Sequence, residues 1–239
     1  MKLRVMTYNI QHGNVHLGEG IDLSKTCGVI SNTGSDIIGL NEVRGRGLCE
    51  DYTVQVETMA SLLGYHCYFG RSIYVGGTEP YGNAVLSKYP IVEASVVKIP
   101  DPIFPSNRIE SRSICRAVVE IVKDGEVRRL VILSSHFGLS KEEQEHAVST
   151  ALSVCQSESL PFVLMGDFNV TPDNPVLAPL YKNLNDTDAL LPAGKTFPSH
   201  KPENKIDYIF TSGNIKINSA EVINAVASDH LPIVADIEF

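Results

Sequence analysis

Tryptophan is missing altogether and cations are scarce: 20 Lys and Arg stand against 28 Asp and Glu in 239 residues, a formal net charge of −8. No segment gathers enough basic side chains to track a phosphate backbone, which disfavours duplex nucleic acid as a substrate. Apolar runs are short. None approaches the roughly 18 residues of a membrane span, and no long apolar hairpin is present to insert into a bilayer. Cysteine is sparse as well: Cys27, Cys49, Cys67, Cys115 and Cys155 are odd in number, scattered and never spaced as C-x-x-C. That pattern argues against a disulfide framework and a zinc site, and fits a reducing cytoplasm. Any Pro/Gly/Ser-rich linker, charge block or compositional break is also lacking, so residues 1–239 are expected to form one domain. The opening stretch "MKLRVMTYNI" enters a strand-like pattern at once, and a soluble, monomeric, cytoplasmic protein without a secretory signal is expected.

The composition is 43% hydrophobic and 20% charged, enough for a substantial core. Apolar runs recur at "LRVMTYNI", "DIIGLNEV", "HCYFGRS", "NAVLSKYPIVEASVVKI", "SICRAVVEIV", "VRRLVILSSHF", "FVLMGDF", "KIDYIFT", "IKINSAEVIN" and "LPIVADIEF", and read as strands. "KDGE" at 123–126 reads as a hairpin turn through Asp124-Gly125. Asp22 or Ser24 can cap a first helix, "VETMASLLG" supplies a second closed by Gly64, and "SKEEQEHAVSTALSVC" a third. The third carries an S-x-x-E capping box, Ser140 and Glu143, and a short helix is expected around "PVLAPLYKNL". Helices interrupt the strands without strictly alternating with them. The expected fold is therefore a mixed α/β sandwich, two sheets face to face with helices outside.

Polar residues fall where these runs stop. Asn9 and Glu42 are expected at the ends of the first two strands and His136 at the end of "VILSSH"; Asp167 and Asn169 follow "FVLMG". Asp207 opens "DYIF", and Asp229-His230 precede "LPIVADI". Brought to one rim, they form a cleft of acids, amides and imidazoles. Hard divalent cations take oxygen ligands, and Mg²⁺ needs only one or two protein carboxylates, a role that suits Glu42 and Asp229. Asp167 could orient and deprotonate a water, with Asn169 holding the phosphate or the water in line. Asp207 would fix one tautomer of His230, and His136 would supply a second donor to a phosphate oxygen. Within the run "FVLMGDFNV", Gly166 permits a tight exit, and Phe168 is expected in the core between Asp167 and Asn169.

The pieces "MTYNIQHG", "GLNEV", "YGNAVLSKYPI", "ESRSICRAVVEI", "SSHFG", "MGDFNVTPD", "KIDYIFTS" and "SDHLPIVADI", in this order over residues 3–238, resemble the endonuclease/exonuclease/phosphatase, or deoxyribonuclease I-like, family. The resemblance implies a four-layer α/β sandwich and Mg²⁺- or Mn²⁺-dependent hydrolysis of a phosphoester. It places Asn9 beside the metal, Glu42 as principal ligand, and Asp229 and His230 as the terminal pair. By the same likeness His136 contacts phosphate, Asp167 activates water, Asn169 is its phosphate-binding partner, and Asp207 orients the catalytic histidine. Arg112 in "ESR" matches a phosphate-reaching arginine, with Arg116 four residues on as the competing candidate. Asn83 lies on a family motif too, with a strand-entry cap after Gly82 as the equal alternative. His12 and His16 flank Gly13 beyond Asn9 and are expected as mobile rim residues. In this family the rim loops choose the substrate. The inositol-phosphatase Trp-Cys-Asp core is absent, and the chain is most similar to compact bacterial members. A phosphodiesterase or phosphatase of small or single-stranded substrates is the leading expectation. A nuclease or abasic-site endonuclease is the alternative, and a catalytically silent binding or scaffold member is the reading of a different class.

Overall fold

The computed structural model describes residues 1–239 apart from 51, 104–108, 124, 192 and 193, and the backbone alone at 188. Among the described residues, twelve strands form two six-stranded sheets. The first contains β1 (Lys2–Asn9), β2 (Ile37–Arg44), β3 (His66–Val75), β4 (Glu79–Ser87), β11 (Lys216–Val222) and β12 (Ile233–Glu238), in the order β11-β12-β1-β2-β4-β3. The second contains β5 (Ile91–Lys98), β6 (Ser113–Lys123), β7 (Glu126–His136), β8 (Phe162–Asp167), β9 (Asn185–Asp186) and β10 (Asp207–Thr211), in the order β5-β6-β7-β8-β10-β9. Both sheets are mixed, because β1–β2 and β7–β8 pair parallel and the remaining neighbours antiparallel.

Three apolar layers follow from these faces. Val5, Ile37 and Val85 of the first sheet meet Ala117, Ile132, Val163 and Ile209 of the second in the central layer. Helices α1 (Leu23–Thr33) and α2 (Gln55–Leu63) bury Ile30 and Met59 against the outer face of the first sheet. Helices α3 (Lys141–Ser157) and α4 (Ala178–Asn183) bury Ala147, Ala151 and Leu180 against that of the second. This is the expected four-layer sandwich. None of the described helices is long and apolar enough to cross a membrane, and all five cysteines are free.

Local chemistry accounts for the element ends. Asp22, not Ser24, caps α1 by accepting from the Ser24 N–H at 3.0 Å, and Gly34 and Gly64 close α1 and α2 in the left-handed conformation. Ser140 and Glu143 form the expected capping box on α3. The β6–β7 hairpin forms with Lys123 paired to Glu126. Asp124, half of the expected turn, lies outside the described residues. The run "NAVLSKYPIVEASVVKI" corrects a simpler reading. It becomes β4 in one sheet and β5 in the other, because Pro90 supplies no N–H to a ladder and the chain crosses between sheets there.

A second correction concerns β2. It runs through Glu42 to Arg44 instead of ending there, and its register against β4 breaks between Leu40 and Val43. Glu42 sits in this bulge at φ +60, a left-handed backbone that non-glycine residues adopt only when their surroundings enforce it. Gly166 meets a stricter demand. At φ +147, a Cβ there would lie 1.8 Å from the Ser135 carbonyl oxygen, so only glycine lets β8 lie this close to β7.

Candidate active site

Strand direction assembles the site. The C-terminal ends of the parallel pairs β1–β2 and β7–β8 reach one rim, and antiparallel β10 and β12 begin there. Asp207 pairs directly with Asp167, and the turn before β12 brings in Asp229 and His230. Asn9, Glu42, Asp229 and His230 therefore come from the first sheet, and His136, Asp167, Asn169 and Asp207 from the second.

Asp167 lies at the centre, 1% exposed. Its Oδ2 accepts from Asn9 Nδ2 at 3.0 Å and lies 3.4 Å from His136 Nε2 and 3.5 Å from His230 Nε2. Oδ1 accepts from the Asn169 N–H at 2.9 Å. Asn169 is held at φ +53, with its Nδ2 donating to the Phe137 carbonyl at 3.1 Å and lying 2.9 Å from His136 Nε2. Phe168 points into the core as expected and stacks on Phe137 with ring centroids 4.0 Å apart. Burial of a phenylalanine contributes roughly 1.5–3 kcal/mol and locks the turn that presents its polar neighbours.

The charges divide the two imidazoles. Burial opposes an imidazolium at His230, but the Asp207, Asp167 and Asp229 carboxylates outweigh it and raise the ring to about 10. His230 Nδ1 donates to Asp207 Oδ2 at 2.9 Å, which leaves Nε2–H for the cleft. His136 goes the other way: burial, then the Arg112 and His230 charges, hold it neutral, well below its ordinary value. Arg112 Nη1 donates to His136 Nδ1 at 3.1 Å, while His136 Nε2 faces the cleft between Asn169 Nδ2 and Asp167 Oδ2. Burial and the Asp207 charge push the Asp167 carboxyl up to about 7.

Arg116 does not share this place; it is held by Glu158 and Glu93 at 2.5 and 2.6 Å. Asn83 is buried inside β4 and does not open the strand, and it belongs to a chain of amides beneath the site. Asn41 Nδ2 donates to Asn83 Oδ1 at 2.8 Å and to the Ser135 carbonyl at 3.0 Å, and Asn83 Nδ2 donates to the Ser113 carbonyl at 2.9 Å. Asn41 Oδ1 accepts from the Asp167 N–H at 3.0 Å. The chain joins β2 and β4 of one sheet to β6, β7 and β8 of the other.

Sequence reasoning passed over Asn41, and also Ser228 and Tyr81. Ser228 Oγ donates to the Asn9 carbonyl at 2.8 Å and lies 3.1 Å from Asp229 Oδ1. The Tyr81 hydroxyl donates to Glu42 Oε2 at 2.8 Å. Tyr81 stood in view in "YGNAVLS", but its partner could be read only from the bulge. His12, expected as a rim residue, lies 3.4 Å from that hydroxyl through Nδ1, and its carbonyl is held by Gln55 Nε2 at 2.6 Å. His16 Nε2 and His200 Nδ1 meet at 2.8 Å on the exposed side.

Among the described residues, two places could take a cation. Ligand atoms of Asp167, Asp207 and His230 lie within 4.8 Å of one another, but His230 and Asp207 are already engaged in a hydrogen bond. Glu42 and Asp229 offer carboxylate oxygens alone, the chemistry that Mg²⁺ and Mn²⁺ prefer. Burial raises Asp229, and the Glu42 charge adds to it, a repulsion that a bound cation would relieve. Asn9 fits beside this pair as a donor: Nδ2 bonds Glu42 Oε1 at 3.0 Å, and Oδ1 is occupied by the Gln11 N–H at 3.1 Å.

Comparison with known proteins identifies the family of the chain. Residues 6–230 match the Endonuclease/Exonuclease/phosphatase family. The chain belongs to that family. Members of the Endonuclease/Exonuclease/phosphatase family are hydrolases of phosphate esters that generally depend on a divalent metal, and this chain is an enzyme of that class. Among solved structures, an endonuclease/exonuclease/phosphatase from Beutenbergia cavernae is 25% identical with a TM-score of 0.82, covering 100% of this chain and 72% of its own. A mannosyl-6-phosphatase from Bacteroides thetaiotaomicron is 20% identical with a TM-score of 0.75, covering 99% of this chain and 100% of its own. The human Nocturnin catalytic domain with bound sulfate is 21% identical with a TM-score of 0.72, covering 100% of this chain and 93% of its own. A search of curated protein sequences finds no match.

Proposed function

We propose that this chain is a Mg²⁺- or Mn²⁺-dependent phosphodiesterase or phosphatase in which Asp167 activates the attacking water. The observation that carries the reading is the ring of polar groups around one buried, raised carboxylate: Asn9, His136 and His230 all face Asp167 Oδ2. Asp167 takes a proton from water as its oxygen bonds to phosphorus, and the bond to the leaving oxygen breaks in line. The leaving oxygen departs with the electron pair and takes a proton from solvent water. His230, held charged by Asp207, donates through Nε2 to a nonbridging oxygen, and His136, held neutral by burial and Arg112, lines the same face of the phosphate. Asn169 steadies the same phosphate. Glu42 and Asp229 would hold the cation, which supplies Lewis-acid stabilisation of the phosphoryl oxygens.

Beside this cluster, reached at Arg112, runs an open groove of about 1160 Å³ lined by Arg71, Tyr74, Lys98, Leu139 and Lys141. It has room for a leaving group of small-molecule or short single-stranded size. The mannosyl-6-phosphatase among the similar structures supports a small substrate.

The test is a hydrolysis screen with Mg²⁺, Mn²⁺ or chelator over sugar phosphates, model phosphodiesters, abasic DNA, RNA, sphingomyelin and inositol phosphates. Asp167→Ala and His230→Ala are the controls. Metal-dependent turnover lost in both variants supports the mechanism; turnover that survives both unchanged refutes it. Cleavage confined to abasic DNA and weakened by salt would instead point to the endonuclease.

A further inference from the structure

Glu42 is gripped from two sides. Asn9 Nδ2 holds Oε1 at 3.0 Å, and the Tyr81 hydroxyl holds Oε2 at 2.8 Å. Asn9 also bonds Asp167 and so belongs to the catalytic cluster, whereas the Tyr81 hydroxyl joins Glu42 to His12 on the side away from Asp167. Tyr81 on β4 is paired with Arg44, just past the bulge that carries Glu42. The Arg44 N–H donates to Gln55 Oε1 at 2.9 Å, and Gln55 Nε2 donates to the His12 carbonyl at 2.6 Å. His12 Nδ1 then returns to within 3.4 Å of the Tyr81 hydroxyl, with ring centroids 6.2 Å apart. Arg44, Gln55, His12 and Tyr81 thus close a loop of contacts around the carboxylate. The bulge alone does not fix a glutamate, whose side chain keeps several rotatable bonds and substantial rotamer entropy.

We propose that Tyr81, buttressed by His12 and Gln55, is a positioning residue that sets the Glu42 carboxylate for cation binding. The inference rests on the reading of Glu42 as a ligand. Tyr81 occupies one lone pair of Oε2 and removes the rotamers in which Glu42 would turn from Asp229, so the ligand is ordered before the cation arrives. Partners that orient ligands in this way typically contribute roughly 10- to 100-fold to metal affinity. A tyrosine that merely filled space would contribute to stability and leave affinity alone.

The experiment is calorimetric titration of Mn²⁺ into the chelator-treated full chain, as wild type, Tyr81→Phe and Glu42→Gln, with the thermal midpoint of each metal-free protein. Tyr81→Phe keeps the ring and should melt with the wild type while its Kd for Mn²⁺ rises roughly tenfold. The Mn²⁺ concentration for half-maximal rate should rise by the same factor, with the rate recovered at saturating Mn²⁺. An unchanged Kd, with or without a lower midpoint, overturns the proposal. Should Tyr81→Phe fail to fold, His12→Ala loosens the same hydroxyl from the loop side, and an unchanged Kd there overturns it equally. A Glu42→Gln variant that binds Mn²⁺ as well as the wild type removes the ligand role of Glu42 and both readings with it. Weak binding by Glu42→Gln beside normal binding by Tyr81→Phe removes only the positioning role.

Discussion

At the scale of the residue, the site concentrates charge where the fold can least solvate it. Asp167 has a folded value near 7 against an ordinary 3.8, so its ionised form destabilises the protein as pH rises from about 4 through 7. Asp167→Asn should therefore raise the thermal midpoint at pH 8 while lowering kcat by roughly 10²- to 10⁴-fold. Scanning calorimetry beside turnover checks both halves, and a variant that loses activity by melting would contradict them. His230 has the opposite sign. Its folded value, about 10, lies above the ordinary 6.5, so its contribution to stability is fully present below about 6.5 and is lost as pH rises through 10. The midpoint difference between wild type and His230→Gln should shrink from pH 7 to pH 10, and kcat/KM of the wild type should fall on the same alkaline limb. The residues of this relay were legible in the sequence because each is an acid, amide or imidazole beside an apolar run. Asn41, Ser228 and Tyr81 were not, since their work is to hold other polar groups and their residue types do not announce it.

At the scale of the element, apolar runs marked nearly every strand, and caps and glycines marked the helix ends. Two features stayed out of sight for a common reason. The bulge at Glu42 is imposed by the strands around β2, and the division of one apolar run into β4 and β5 depends on which sheet each half joins. Periodicity reports which face of a strand is buried, not what lies across from it. The amide chain Asn41–Asn83 shows the same limit, for each member read alone is a turn former. Its energetics are open to measurement: Asn83→Ala removes one of two buried partners from both Asn41 Nδ2 and the Ser113 carbonyl and should cost about 1–3 kcal/mol in urea unfolding. Gly166→Ala should be worse, since its Cβ meets backbone and not a side chain that can swing aside. A Gly166→Ala protein with a wild-type urea midpoint would contradict the assigned backbone.

At the scale of the whole molecule, cation binding and folding are linked. A cation held by Glu42 and Asp229, as proposed, would bind the native state and relieve its internal repulsion, so saturating Mg²⁺ at about 100 times its Kd should stabilise by roughly 2.7 kcal/mol. Chelator should lower the thermal midpoint of the wild type and leave Glu42→Gln nearly unmoved, which differential scanning fluorimetry would read directly.

The proposed reacting groups are shared between two sheets that meet face to face, and no single strand carries all of them. The enzyme is thus a vernier: its chemistry reads the alignment of two scales. Asn9 must stay 3.0 Å from Asp167, and His230 2.9 Å from Asp207, across that division. A slip of one sheet on the other by about 1 Å would leave every strand intact and still cost on the order of 10²-fold in rate. Under gradual denaturation, turnover should therefore fail before circular dichroism registers any loss of structure.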